Sequence, residues 1–179
     1  MLPEIIDGAV FRLRPFRLVD VEALFTYASD EHFLRYLPIE IPYSRSDAEV
    51  FLAKQTLLDR ETNPSWGIEM EGSLCGGLNI RFFVDHRVSE IGYGIARRVW
   101  GHGIVPAASR AVTAAAFEAY PQLERVRARA DARNAGSIRV MEKLGMKREG
   151  LLRSDRLCRG ELIDEVVYGL LRSEWGGRV

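Results

Sequence analysis

The chain has 179 residues, 47% hydrophobic and 28% charged, with 25 Lys+Arg against 25 Asp+Glu; that is core enough for one domain over residues 1–179 without metal or disulfide staples, and no net field to recruit nucleic acid or an anionic membrane. Cys75 and Cys158 stand far apart with no Cys-x-x-Cys and no nearby His pair, which excludes a zinc knuckle or a disulfide framework and fits a reducing cytoplasm. No basic stretch followed by an apolar run opens the chain and no apolar run nears the ~20 residues that span a bilayer, so neither a signal peptide nor a membrane span is expected.

Residues 9–16 alternate apolar and charged side chains and predict a half-exposed strand. Asp20 caps a helix to about Ser29, with Leu24, Phe25 and Ala28 on one face. Residues 33–43 hold two prolines among aromatics and read as a loop or broken helix. Ser44 or Ser46 starts the next helix, whose stripe of Val50, Phe51, Ala53, Leu57 and Leu58 reaches to about Arg60. Three strands follow, at 66–71, 74–85 and 88–96, separated by Gly72-Ser73 and His86-Arg87, dipeptides that suit tight turns. The helix from Gly103 to about Tyr120 tolerates Pro106 because it falls in the first turn. Residues 124–130 alternate strictly as a strand, and a short helix over 135–144 is stopped by Gly145. Residues 147–158 and 161–172 close the chain as an antiparallel pair turning at Arg159-Gly160. This order predicts a mixed α/β sheet, α+β-like, with helices on both faces rather than an all-parallel doubly wound fold.

The sharpest local feature is Trp100-Gly-His-Gly-Ile-Val-Pro106, between a strand and a helix. Glycines there permit positive φ and close approach of a ligand, and free amides at a helix N-terminus form an anion site. A plain strand-to-helix turn also needs glycine, so the local pattern leaves both readings open. It is neither the dinucleotide fingerprint, lacking the third glycine, nor a Walker loop, lacking Gly-Lys-Ser/Thr. Asn134-Ala-Gly-Ser137 opens the short helix, with Asn134 as N-cap and Ser137 as its third residue. Glu90, Gly92 and Gly94 share one strand face with almost no bulk beyond Glu90, along which an extended ligand could lie. Arg97 and Arg98 flank the loop, while His32, His86, His102, Tyr120 and Cys158 form no arrangement for nucleophilic or metal chemistry.

These features join Leu13-Arg-Pro15 in the first strand, Glu90-Ile-Gly-Tyr93 in the fourth, and a block running from Asp131-Ala-Arg-Asn134 through Ser137 to Lys143-Leu-Gly-Met146. On those motifs the chain resembles the GNAT superfamily of acyl-CoA-dependent N-acetyltransferases over nearly its whole length, and within it the RimJ/RimL-like branch of ribosomal-protein N-terminal acetyltransferases. The resemblance implies a seven-stranded, mostly antiparallel mixed sheet with about four helices on both faces, splayed between strands four and five. It implies acetyl-CoA as co-substrate, no metal, and an amine acceptor, either a protein N-terminus or a small molecule, in a monomer or homodimer. The alternative is a non-catalytic acyl-CoA-binding or sensing module.

The family's phosphate signature fits literally from Arg98. It also fits in a register with Trp100 first, Gly103 central and Val105 last, preferred because it sets Gly103 at the helix start. In either, the amides of Gly101, His102, Gly103, Ile104 and Val105 would hold the coenzyme pyrophosphate, with one donor lost at Pro106. By the same resemblance the backbone of Tyr93, Gly94 and Ile95 would pair with the pantetheine arm and Asn134 would bond it from the other side. Glu90 matches the strand-four glutamate that is the general base in histone-type members of the family, others using a different base or none, with Glu69 or a water chain next in line here. Ser137 matches the group that protonates the leaving thiolate, and 33–46 with the hairpin near His86 would set acceptor choice.

Overall fold

The computed structural model describes residues 1–176. Its strands are β1 (Ile6–Asp7), β2 (Arg12–Arg14), β3 (Ser65–Met70), β4 (Ser73–Phe83), β5 (Val88–Ile95), β6 (Arg125–Asp131), β7 (Lys147–Cys158) and β8 (Glu161–Leu171). They form one sheet in the order β1-β2-β3-β4-β5-β6-β8-β7. The helices are α1 (Val21–Ala28), α2 (Glu31–Leu34), α3 (Arg45–Thr56), α4 (Ile104–Ala119) and α5 (Ala135–Lys143).

Two hairpins turn on left-handed dipeptides, Glu71-Gly72 and Arg159-Gly160, whose positive φ matches strand twist. The β4–β5 turn is longer than the expected dipeptide, with φ of 48°, 52° and 60° at Val84, Asp85 and His86. His86 secures it by stacking on Tyr120 at 4.7 Å and 15° and by Nε2 lying 3.0 Å from the Glu61 carbonyl. Helix α5 ends in a Schellman cap: Met146 N–H donates to Met141 O, Gly145 N–H donates to Glu142 O, and Gly145 takes φ 86°.

The sheet has eight strands rather than seven, because Gly8 N–H donates to Phe11 O and folds residues 6–7 back as a short extra strand. The same turn shortens the strand expected over 9–16 to Arg12–Arg14. The five helices exceed the expected four by a single turn, α2, capped where Asp30 accepts the His32 N–H at 2.8 Å. The motif Leu13-Arg-Pro15 is structural. Arg14 is buried and forks onto Asp20 at 2.8 Å while its Nε reaches Glu69 at 2.5 Å, tying β2 to the start of α1 and to β3.

The junction of β5 and β6 positions the site. These two strands run parallel through the α4 crossover but pair only over Val88–Glu90 with Arg125–Arg127. Beyond Glu90, β5 stays with β4 as far as Ile95, and β6 stays with β8 as far as Asp131. The sheet therefore splits into a wedge. Tyr93 and Gly94, adjacent on β5, face opposite sides. Tyr93 reaches Ser137 of α5, whereas a Cβ on Gly94 would lie 3.2 Å from the Phe33 ring of α2, so α2 and α5 lie on opposite faces and meet only across the wedge.

Candidate active site

On β5 the N–H of Ala96 points to Cys75 O on β4 at 2.7 Å. By the strand period the N–H and C=O of Tyr93 and Ile95 then point the other way, into the wedge, where β6 no longer pairs with them. One of those groups is already used: Trp100 Nε1 donates to Ile95 O at 2.8 Å. The remainder form an open strand edge of the kind an extended amide chain can join.

At the wide end of the wedge stands the N-terminus of α4. Gly103 is its N-cap, with φ 73°, and carries no side chain to cap the helix. The first bond back is Ala107 N–H to Gly103 O at 3.1 Å, so the N–H groups of Ile104 and Val105 are left over and Pro106 has none. Uncapped donors and the positive helix end together favour an anion. They face a cavity of about 570 Å³. Four formally charged residues line it, Arg35, Arg133, Arg139 and Lys143, and no carboxylate does.

On the far wall, Asn134 caps α5 by accepting the Ser137 N–H on Oδ1 at 3.0 Å. The cap takes the amide oxygen and leaves the Asn134 amino group for a ligand. Ser137 Oγ lies 3.1 Å from Tyr93 OH, which also donates to Ser137 O at 3.1 Å. Burial pushes the Tyr93 phenol up to about 12, so it stays protonated and available as a donor. The loop before Asn134 is held by Asp131. Burial opposes its charge, but the Arg133 side chain and N–H win and keep its carboxyl below the usual range.

The structure thus brings Tyr93, Gly94, Ile95, Trp100, Gly101, Gly103, Ile104, Val105, Asn134 and Ser137 to one cavity. His102 contributes no side chain to it: its Nδ1 donates to Trp100 O at 2.9 Å. Arg97 and Arg98 sit on a single 3-10 turn outside the lining. Glu90 is also outside the lining, at the closed end of the wedge. Its carboxylate is 2.9 Å from Arg127 Nε, 3.6 Å from Arg129 Nε and 4.0 Å from Arg81 Nη2. The bare glycine face expected to carry a ligand is filled, since Phe33 covers Gly94 and the Asn79 amide would lie 2.7 Å from a Cβ on Gly92. Glycine serves there to admit those side chains, which leaves the unpaired strand edge as the open feature. Unforeseen in the sequence was the Tyr93 hydroxyl; Phe33, Tyr36 and Leu37, from the 33–46 segment expected to set acceptor choice, line the same cavity.

Comparison with known proteins decides the family. Residues 11–147 match the family described as Acetyltransferase (GNAT) domain. The chain belongs to the GNAT acetyltransferases. This acetyltransferase is accordingly an N-acetyltransferase with acetyl-CoA as donor. It is 29% identical over 163 residues to the N-acetyltransferase YnaD of Bacillus subtilis, covering 91% of this chain and 94% of that one. It is 38% identical over 112 residues to a B. subtilis protein named "Putative ribosomal N-acetyltransferase YdaF", covering 62% of this chain and 61% of that one, in line with the RimJ/RimL-like branch. Among solved structures, a GNAT-family acetyltransferase from Bacillus anthracis superimposes with a TM-score of 0.84 at 26% identity, covering 95% of this chain and 99% of that one. Among the described residues no group of three or more His, Cys, Asp or Glu is placed to hold a metal, and no helix is long and apolar enough to cross a membrane.

Trp100 gives the enzyme a built-in reporter. Trp100 is 46% exposed and lines the cavity, whereas Trp66 is fully buried. Titration with acetyl-CoA should change tryptophan emission saturably, and Trp100→Phe should remove most of that change. A full-amplitude change surviving in the Phe variant would place the ligand elsewhere.

Proposed function

We propose that acetyl-CoA lies along the β5 edge with its pyrophosphate on the Gly101–Val105 amides, and that the enzyme transfers the acetyl group to a primary amine, a protein N-terminus or a small-molecule amine, in the cytoplasm. The observation that carries this reading is the uncapped α4 N-terminus opening on a cation-lined cavity that continues along an unpaired strand edge. That arrangement offers donors for phosphate at one end and backbone partners for the two amides of the pantetheine arm at the other.

The amine nitrogen attacks the thioester carbonyl directly, the C–S bond breaks, and the thiolate takes a proton. Glu90 is the general base. It stands three residues from Tyr93, about 10 Å along the strand at roughly 3.3 Å per residue, so its proton path from the ammonium runs through water. Ser137 is the general acid, and Tyr93, 3.1 Å from its Oγ, turns its proton from Ser137 O to Oγ to replace the one given up. Tyr93→Phe removes that support but keeps the ring. A lost hydrogen bond of about 1 kcal/mol predicts roughly a five- to tenfold fall in kcat, with CoA affinity unchanged within about twofold. Equal kcat in the two proteins would remove Tyr93 from the relay.

The experiment that tests the function is acetyl-CoA turnover against N-terminal peptides, aminoglycosides, polyamines and free amino acids. One class should be acetylated with chelators present. No turnover across the panel, with CoA still bound, would leave the proposed acceptor classes and the catalytic roles without support.

A further inference from the structure

We propose that Arg159 is a positioning residue for the acceptor: from the tip of the β7–β8 hairpin it clasps α2 across the split sheet and so holds Phe33, Tyr36 and Leu37 in place; this rests on the acetyl-transfer reading of the cavity. Its Nη1 donates to Leu34 O at 3.3 Å and its Nη2 to Arg35 O at 2.9 Å. Beside it the buried Cys158 donates from Sγ to Leu37 O at 3.4 Å. Those carbonyls close a helix of four residues, too short to satisfy them within itself. An arginine suits such an end, because its fork reaches more than one carbonyl.

The clasp joins parts that the sheet leaves apart. Helix α2 belongs to the β5 half, where Phe33 covers Gly94 and packs edge-on against Tyr27 at 5.1 Å. The hairpin extends the β6 half, since β8 pairs with β6 and β7 with β8. On the α5 face the wedge is spanned by Tyr93 and Ser137. On the opposite face Arg159 and Cys158 span it through α2. Arg35 and Leu37, whose carbonyls are held, themselves line the cavity beside Phe33 and Tyr36.

The backbone at position 159 shows that the side chain serves more than the turn. Arg159 has φ 47° and Gly160 φ 83°, a pair of left-handed positions that Asn-Gly fills best. An arginine in the first of them works against the hairpin. Such a conflict between local preference and the residue present marks a position used for something else. Here the use is the reach to α2. Asparagine would suit the turn and lose the reach, which separates fold from function in one substitution.

The test uses the full-length protein as wild type, Arg159→Asn and Arg159→Lys. Arg159→Asn should melt no lower than wild type, yet the amides of residues 31–37 should exchange with solvent about fivefold or more faster once the clasp is gone. In turnover with the peptides, aminoglycosides, polyamines and amino acids of the panel above, the KM of the accepted amine should rise roughly five- to tenfold with kcat held within about twofold. CoA affinity by calorimetry should hold within about twofold, and Arg159→Lys, which keeps a cationic donor, should fall between the other two in KM. An Asn variant with wild-type exchange and wild-type KM overturns the proposal. So does one whose CoA affinity falls in step with its rising KM, or whose melting temperature drops, since the arginine would then serve the fold alone. A wild type that acetylates none of those amines overturns the acetyl-transfer reading, and the positioning role with it.

Discussion

Glu90→Gln should lower kcat at neutral pH by about 10²–10⁴-fold, roughly 3–5 kcal/mol of barrier, the usual worth of a positioned base. Gln keeps the shape and the hydrogen-bonding capacity but cannot take a proton. The deficit should shrink as pH rises, because the free amine then forms without help, and CoA affinity should hardly move. The ion pairs complicate the experiment, since the same substitution leaves Arg127 and Arg129 without their counter-charge. Arg127→Gln separates the two effects: it weakens the pairing but retains the carboxylate. It should keep kcat within a few-fold of wild type, since half-exposed pairs are worth little in stability. If Arg127→Gln lowers kcat as far as Glu90→Gln does, Glu90 only tethers β5 to β6 at the closed end of the wedge. Glu69 cannot inherit the role of base, because it lies on β3, with β4 between it and the β5 edge; a water chain is the remaining candidate.

Gly103→Val should reduce CoA affinity by about 100-fold or more while the protein still folds. A Cβ at position 103 meets nothing within 4 Å, so crowding by protein atoms is not the reason. The reason is φ 73°, which costs an L-residue about 1–2 kcal/mol and a β-branched one more. Relaxing to negative φ re-aims the Gly103 and Ile104 amides away from the cavity, and the added methyl groups stand where phosphate would sit. Gly103→Asn is the control, because asparagine tolerates the left-handed region. It should retain more affinity than the Val variant, and calorimetry with circular dichroism resolves the series. Undiminished CoA affinity in a folded Gly103→Val protein would remove the phosphates from this loop.

Much of this was legible locally. The strict alternation of 124–130, the glycine stop at 145 and the Asn134 cap are each dictated by neighbours within a few residues, and each appears in the structure. Gly103 at the head of α4 was legible for the same reason, since a helix start needing positive φ is a local demand. What the sequence hid depends on partners brought from a distance. Glu90, Gly92 and Gly94 look like an empty face until Phe33 of α2 and Asn79 of β4 are folded onto it. The arginines around Glu90 come from β4 and from a strand that becomes its neighbour only through the parallel crossover, which no period-two pattern announces. The segment 33–46 was singled out for acceptor choice, but a single helical turn among prolines has no period to say that Phe33, Tyr36 and Leu37 are the side chains that line the cavity.

With the coenzyme seated on the uncapped start of α4 as proposed, the enzyme's durability would depend on its donor supply. A helix end that leaves amide groups to water until an anion arrives gives a folded state tightened by its own substrate. A ligand that binds only the folded chain at one hundred times its dissociation constant adds about 2.7 kcal/mol to the unfolding free energy. In a chain of this length that raises the melting temperature by roughly 5–10 °C. A cell rich in acetyl-CoA would therefore hold the enzyme in a form that opens rarely and escapes proteolysis. Starvation for acetyl groups would lower its abundance as well as its turnover, with no separate regulator involved.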